Sequence, residues 1–172
     1  MTPTLGAVLA GGRSSRFGSD KAVALWEGQR LLDRSRALLA RCCAEVIVVG
    51  RSEGGVGVAD LPRPGLGPLG GIAGALDHAA SRGFRCVLTI SCDMPWLPDG
   101  LLESLLRRAP AFCADAPVLG HWNAALGAQL LGWIETGGDR SVRGWARSVG
   151  AIPIPSPAPL ANINTPDDLM AL

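Results

Sequence analysis

The stretch Gly11-Gly12-Arg13-Ser14-Ser15-Arg16-Phe17-Gly18-Ser19-Asp20-Lys21 gathers residue types that can handle phosphate. It follows a short apolar run, and its glycines and serines leave backbone N–H groups able to turn toward anionic oxygens. Neither standard phosphate motif is present. A dinucleotide fingerprint needs G-x-G-x-x-G and a Walker A loop needs G-x-x-x-x-G-K-[ST], whereas Lys21 lies three residues after Gly18 and precedes Ala22. A solvated Gly/Ser loop is the competing reading. Lysine usage weighs against it, because Lys21 is the only lysine in the chain beside 15 arginines. A compact, mobile ammonium retained at this one place suits a polyphosphate.

A second candidate is Asp93-Met94-Pro95, just past an apolar run ending at Cys92. In open α/β sheets ligands bind beyond the carboxyl ends of the strands. A carboxylate there suits Mg²⁺, which takes one or two protein oxygens and fills its octahedron with water and phosphate. The alternative is a turn aspartate before Pro95, with Asp99 better placed as the cap of the next helix. Asp60 stands similarly before Gly65-Leu66-Gly67-Pro68-Leu69-Gly70-Gly71. Glycines so dense before a helix imply close backbone approach, either to a base or ribose or simply within a tight turn.

These residues need a scaffold, and the chain supplies alternating elements. Leu5 to Ala10, Glu45 to Gly50 and Cys86 to Cys92 are near-continuous apolar runs and read as buried strands, with a shorter one at Val56 to Ala59. Leu31, Leu32, Ser35, Leu38, Leu39 and Cys42 fall at helical spacing. Further helices are expected from Leu69 to about Ser81, from Gly100 to Arg108 and from Asp139 to Val149. Alternating strands and helices with almost uninterrupted apolar strands predict a mostly parallel sheet covered on both faces. Ala124 to Leu130 is expected to be a strand, and Ala151 to Asn164 carries four prolines. Thr165-Pro166-Asp167-Asp168 reads as a helix start, with Thr as N-cap, Pro in the first turn and carboxylates at the positive dipole end. The 172 residues suit one domain, without repeat or linker.

Composition narrows the partners. The net charge of +1 offers no basic field for nucleic acid or an acidic membrane. Ala116 to Ile134 runs 19 residues without a formal charge, but its glycines, Pro117, His121, Asn123 and Gln129 would leave polar groups facing lipid. The N-terminal apolar run is too short for a signal peptide. Five cysteines without C-x-x-C spacing form neither a disulfide framework nor a zinc site, which fits a reduced, cytoplasmic protein. His78 and His121 are expected to be packing or surface residues.

Taken in order, Leu9-Ala10-Gly11-Gly12, Ser15-Arg16-Phe17-Gly18, Asp20-Lys21, Gly67-Pro68-Leu69-Gly70-Gly71-Ile72, Asp93-Met94-Pro95 and Asn162-Ile163-Asn164-Thr165-Pro166-Asp167-Asp168-Leu169 resemble the molybdenum cofactor guanylyltransferases. That family lies within the nucleotidyltransferases that activate sugars and cofactors. The opening motif specifies only the broad group; the Gly-Pro-Leu-Gly-Gly and terminal Asn-x-Asn-Thr-Pro-Asp-Asp-Leu segments narrow it. The resemblance implies a three-layer αβα sandwich with a Rossmann-like sheet, and transfer of GMP from GTP to molybdopterin or its molybdenum-bound form with release of pyrophosphate. It implies that Leu9, Ala10, Gly11 and Gly12 contact the nucleotide, that Lys21 meets its phosphates, and that Asp60 lies at the guanosine side; Arg16 is expected to help neutralise the same phosphates. Asp93 matches the family's Mg²⁺ aspartate.

For the acceptor, Arg140, Asn162 and Asn164 are the expected contacts: neutral amides suit the edge of a pterin and a guanidinium suits its phosphate. Asparagines that merely satisfy turn backbone are the alternative. Transient contact with cofactor-biosynthesis or molybdoenzyme-maturation proteins is a further implication. Two departures stand out: Val49 where relatives often carry Asn, and His121-Trp122-Asn123 where a His-Pro-Leu-like stretch is common. The competing functions are a cytidylyltransferase for the same cofactor, a sugar-phosphate nucleotidyltransferase, and a nucleotide-binding paralogue without turnover.

Overall fold

A computed structural model describes residues 3–11, 21–51, 56–161, 163, 165, 167 and 168. β1 (Thr4–Leu9) is buried from Leu5 onward, as an apolar run without polar interruption requires. A 3₁₀ turn at Lys21–Val23 leads into a small hairpin, β2 (Leu25–Trp26) and β3 (Gln29–Arg30). Glu27 and Gly28 both take positive φ, 47° and 77°, which a two-residue turn needs if it is to follow the strand twist. Then follow α1 (Leu31–Ala40), β4 (Glu45–Val49), β5 (Val56–Val58), α2 (Pro68–Ser81), β6 (Cys86–Ser91) and α3 (Leu101–Leu106). The last third holds β7 (Ala111–Cys113), β8 (Gly120–Asn123), α4 (Gly127–Glu135), α5 (Val142–Ser148) and β9 (Ile152–Ile154).

Among the described residues the main sheet has seven strands in the order β5-β4-β1-β6-β8-β7-β9. β5, β4, β1 and β6 run parallel, with Leu9 in register between Val49 and Ser91. β8 is antiparallel to both β6 and β7, and β9 returns parallel to β7. Side chains alternate across the sheet as the strand period demands. Leu5, Ala7, Leu9, Ile47 and Val49 pack under α2, α4 and α5 on one face. Val8, Val48, Leu88 and Ile90 pack with α1 and α3 on the other. The result is three layers, a mixed α/β sheet between helices.

The first two-thirds match expectation closely; the last third does not. Ala124 to Leu130 is a 3₁₀ turn followed by the start of α4, and the strand lies just before it at β8. A short apolar run cannot by itself distinguish strand from buried helix. Tertiary contacts decide here: the Trp122 indole N–H donates to Thr89 Oγ at 2.9 Å, and the Trp122 and Trp145 rings lie 4.7 Å apart. A Cβ at Gly120 would overlap the Trp122 ring, so the glycine makes room for that indole. β9 forms inside the proline-rich run because it is an edge strand, where a residue lacking N–H is tolerated. α5 begins at Val142, three residues later than Asp139, and the Ser141 hydroxyl accepts the Gly144 N–H at 2.9 Å as its cap. Asp99 does not cap α3; Gly100, at φ 79°, occupies that position without a side-chain cap.

No helix among the described residues is long and apolar enough to cross a membrane. The uncharged stretch from Ala116 to Ile134 is divided between β8, the 3₁₀ turn and α4.

Candidate nucleotide site

β1 ends at Leu9 between its two parallel neighbours, and the chain leaves the sheet there. The Leu9 carbonyl accepts the Cys92 N–H at 3.2 Å, and the Ala10 N–H donates to the Val49 carbonyl at 3.0 Å. The Ala10 N–H is therefore committed to the sheet, and Gly11 after it is exposed.

Gly11 sits flush against Gly50. A Cβ on Gly50, which has φ 85°, would stand 2.5 Å from the Gly11 Cα and 2.7 Å from its N. A Cβ on Gly11 would stand 3.6 Å from either Asp60 carboxylate oxygen. Two glycines thus let three separate segments converge, because no L-residue could occupy Gly50 without pushing β1 and the turn after β4 apart.

Asp60 owes its place to α2. The Leu61 N–H donates to the Gly70 carbonyl at 3.0 Å, and a Cβ on Gly70 would lie 3.5 Å from the Asp60 Cβ. One turn on, a Cβ on Gly74 would overlap the Ala59 carbonyl. Gly71 faces Leu9 Cδ2 and Val49 Cγ1, at 3.2 and 3.6 Å from where its Cβ would be. Tight packing therefore accounts for Gly70 and Gly71. Gly65 and Gly67 differ: both have positive φ, and a Cβ on either would meet nothing within 4 Å. Burial pushes the Asp60 carboxyl above the usual carboxylate range. Val49 is 1% exposed and packs under α2.

Asp93 lies across Leu9 from Asp60, beyond β6. It is half-buried between Cys92 and Met94, which are both buried. Its backbone carbonyl accepts the Ile163 N–H at 3.0 Å. Ile163 is fully buried and packs on Leu31 of α1, with Ala24 and Trp26 alongside. Thr165 and Asp168 then form a reciprocal capping box: Thr165 N–H to Asp168 Oδ2 at 2.8 Å and Asp168 N–H to Thr165 Oγ1 at 3.3 Å. The end of the chain is thereby anchored beside Asp93, a juxtaposition the sequence reading missed. The available signal was Ile163, an apolar residue isolated between two asparagines.

Arg140 is exposed in the loop between α4 and α5. That loop is stiff. The Trp133 indole N–H donates to the Asp139 carbonyl, and the Ser141 N–H and hydroxyl both donate to the Asp139 carboxylate, each at 2.8 Å. Those last two bonds hold the Asp139 carboxyl below the usual range. Arg140 shares a small crevice with Leu66, Leu69, Trp133 and Ile134. It belongs to the α2–α4 layer, whereas Ile163 belongs to the α1 layer. Asn162 and Asn164 lie outside the described residues, as do Gly12 and Arg16, and Lys21 is described in its backbone alone. The histidines stay out of the site. His121 is buried with Nδ1 2.7 Å from the Arg108 carbonyl and 3.2 Å from that of Leu105, so Nδ1 carries the proton. His78 lies near the opposite end of α2 from Gly70.

Residues 6–149 match the family described as the MobA-like NTP transferase domain. The chain is 36% identical over 177 residues to "Molybdenum cofactor guanylyltransferase" of Rhodobacter capsulatus, across 95% of this chain and 92% of that one. It is 35% identical over 188 residues to the protein of the same name from Rhizobium leguminosarum bv. trifolii (strain WSM2304), across 95% and 88%. In fold it resembles the crystal structure of molybdopterin-guanine dinucleotide biosynthesis protein A from Archaeoglobus fulgidus. That match has a TM-score of 0.75 over 98% of this chain and 96% of that one, at 23% identity.

Proposed function

The chain belongs to the MobA-like NTP transferase family, and from that premise we propose that it transfers GMP from GTP to molybdopterin or its molybdenum-bound form, releasing pyrophosphate. The observation that carries the reading is the convergence of Gly11, Gly50 and Asp60 on one side of Leu9, with Asp93 on the other. A purine nucleoside binds on the Asp60 side, where an ionised carboxylate, which only accepts, takes donors from guanosine. The Ala10 carbonyl and Gly11 backbone line the same wall. Lys21 and Arg16 neutralise charge that grows on the α-phosphate and the leaving pyrophosphate.

The acceptor phosphate is already a nucleophile, so no catalytic base is required. Catalysis consists of holding two anions in line and stabilising the charge that develops between them. Asp93 fits Mg²⁺: it offers a hard oxygen donor at the strand edge, half-exposed, and this ion needs few protein ligands when phosphates supply others. When bound, Mg²⁺ supplies charge neutralisation at the phosphates. The rigid Asp139–Ser141 turn presents Arg140 toward solvent near α2, and Ile163 is held at the Asp93 side. In this reading Arg140 holds the phosphate of the acceptor, and Asn162 and Asn164 hold its pterin. The setting is the cytoplasm, with transient contact to proteins that supply or receive the cofactor.

A panel of the four nucleoside triphosphates with Mg²⁺ and molybdopterin, scored for pyrophosphate release, tests the assignment. GTP alone should give rapid release; equal turnover with CTP would overturn it in favour of a cytidylyltransferase. GTP binding without release would make the chain a non-catalytic paralogue. Asn164→Ala and Arg140→Ala should weaken molybdopterin binding while leaving GTP affinity unchanged.

A further inference from the structure

Away from the nucleotide edge, the chain carries a pair of adjacent thiols that the transfer reaction does not use. Cys42 and Cys43 follow the last turn of α1, and both of their N–H groups donate to the Leu39 carbonyl, at 3.0 and 2.8 Å. Their sulfurs lie 4.0 Å apart. Cys42 is exposed, whereas Cys43 is half-buried against β1, its Sγ 3.2 Å from where a Gly6 Cβ would stand. Cys42 opens onto a groove of about 350 Å³ between α1 and α3, with Leu38, Leu97, Leu102 and Leu106 as apolar wall and Arg41, Asp99 and Glu103 as its charges.

We propose that Cys42 is a thiol–disulfide exchange site for a low-molecular-weight disulfide of an amino-acid-bearing thiol, and that Cys43 serves as its activating neighbour. The Cys42 thiolate attacks one sulfur of R–S–S–R. A new S–S bond forms, the S–S bond of the reagent breaks, and R–S⁻ leaves with the electron pair and takes a proton from water. The reagent is the oxidant. The attached R group lies along the groove, whose one guanidinium and two carboxylates match a zwitterion.

The pair has an order. Cys42 is the exposed partner and Cys43 the half-buried one, so charge forms on Cys42 and the Cys43 S–H donates to it; that bond pulls the Cys42 thiol down to about 7, against burial and the Glu103 carboxylate and with Arg41 helping. The same bond and burial push Cys43 up, so it stays a thiol. A weak contact from Cys42 Sγ to the Leu39 carbonyl at 3.6 Å competes in the neutral form only. Adjacent residues hold their Cα atoms about 3.8 Å apart, below the ~4.4 Å minimum usual for a disulfide. Closure between Cys42 and Cys43 is strained for that reason, and the mixed disulfide persists. The remaining thiols are poor competitors. Cys92 and Cys113 are buried, and burial pushes up the thiol of Cys86, whose sulfur faces Asn123 Oδ1 at 3.7 Å.

The test treats the full chain with cystine and, in parallel, with uncharged bis(2-hydroxyethyl) disulfide, and follows intact mass, peptide maps and rate against pH. The expected result is one retained adduct on Cys42, formed several-fold faster with the zwitterionic reagent, with a rate midpoint near pH 7 as the thiol value of about 7 requires. Cys43→Ala should move that midpoint up toward about 8.5, the value of an unassisted thiol. Cys43→Ser, which keeps a donor, should move it less, and Glu103→Gln should lower it. An adduct on Cys86, Cys92 or Cys113, an ordinary midpoint in the wild type, or a Cys42–Cys43 disulfide without retained adduct would each overturn the proposal.

Discussion

The two halves of the sheet are built on different principles. In the parallel half, β4, β1 and β6 are cores of apolar side chains with β5 as the exposed edge, and the carboxyl ends of all four open on one edge. Backbone approach through Gly11, Gly50, Gly70 and Gly74 shapes that edge and leaves few side chains there. In the mixed half, β8 runs against its neighbours, and large buried side chains do the shaping: Trp122, Trp145 and the Thr89 hydroxyl, which also donates to the Val118 carbonyl at 2.6 Å. Chemistry is assigned to the glycine-shaped half and rigidity to the tryptophan-shaped half. The comparison teaches that a site for a planar base and a polyphosphate needs absent side chains as much as present ones.

That division can be broken by substitution. Trp122→Ala should cost about 3–5 kcal/mol of stability, since it empties a fully buried site and leaves Thr89 without its indole donor. Urea unfolding measures the loss. GTP affinity of the folded fraction should stay unchanged, and a parallel fall in affinity would mean the halves are not separable.

Asp93→Ala should do the reverse, lowering turnover at least ~100-fold, about 2.7 kcal/mol of transition-state stabilisation. The Ile163 N–H binds the Asp93 backbone carbonyl, so the melting temperature should barely move. Wild-type turnover in this variant would place the active site elsewhere.

Lys21→Ala should cut transfer by about tenfold or more, roughly 1.4 kcal/mol. Lys21→Arg should restore it only partly, because a planar fork does not replace a compact ammonium. Full recovery would indicate that only net charge matters there.

Asp60→Asn sharpens the comparison most finely. Burial disfavours the charged carboxylate in the fold, so the native state holds its proton to higher pH than the unfolded chain does. Stability therefore falls as pH rises from the unfolded value through the raised folded one, and is lower above that window by the cost of burying the charge. Removing the charge should leave the nucleotide-free protein as stable or slightly more so at neutral pH, while its preference for GTP over CTP shrinks. A drop in melting temperature would instead make Asp60 a structural residue.

Much of this was legible beforehand for reasons that can be named. β1, β4 and β6 are short, near-continuous apolar runs bounded by turn residues and rich in β-branched side chains, a pattern that fits a strand buried on both faces. The Thr165 N-cap is local chemistry within four residues and formed as read, with Asp168 returning a second bond to the Thr165 N–H. Lys21 stood out by composition alone. The strand expected over Ala124 to Leu130 and the helical cap expected from Asp99 failed where two local structures were nearly equal in preference.

By itself, then, the sequence determined the parallel core, its helices and the residues available at the edge, because apolar periodicity and turn chemistry act over a few neighbours. Only the tertiary structure decided that β8 runs antiparallel to β6, that Gly50 lies on Gly11 beside Asp60, and that Ile163 comes home to Asp93. Each of those joins segments far apart in the chain, and each depends on shape: the Trp122 ring over Gly120, the missing Cβ atoms at Gly50 and Gly74, and the apolar slot on Leu31. Contacts of that kind are chosen by which surfaces fit once the sheet exists, and no local pattern carries that information.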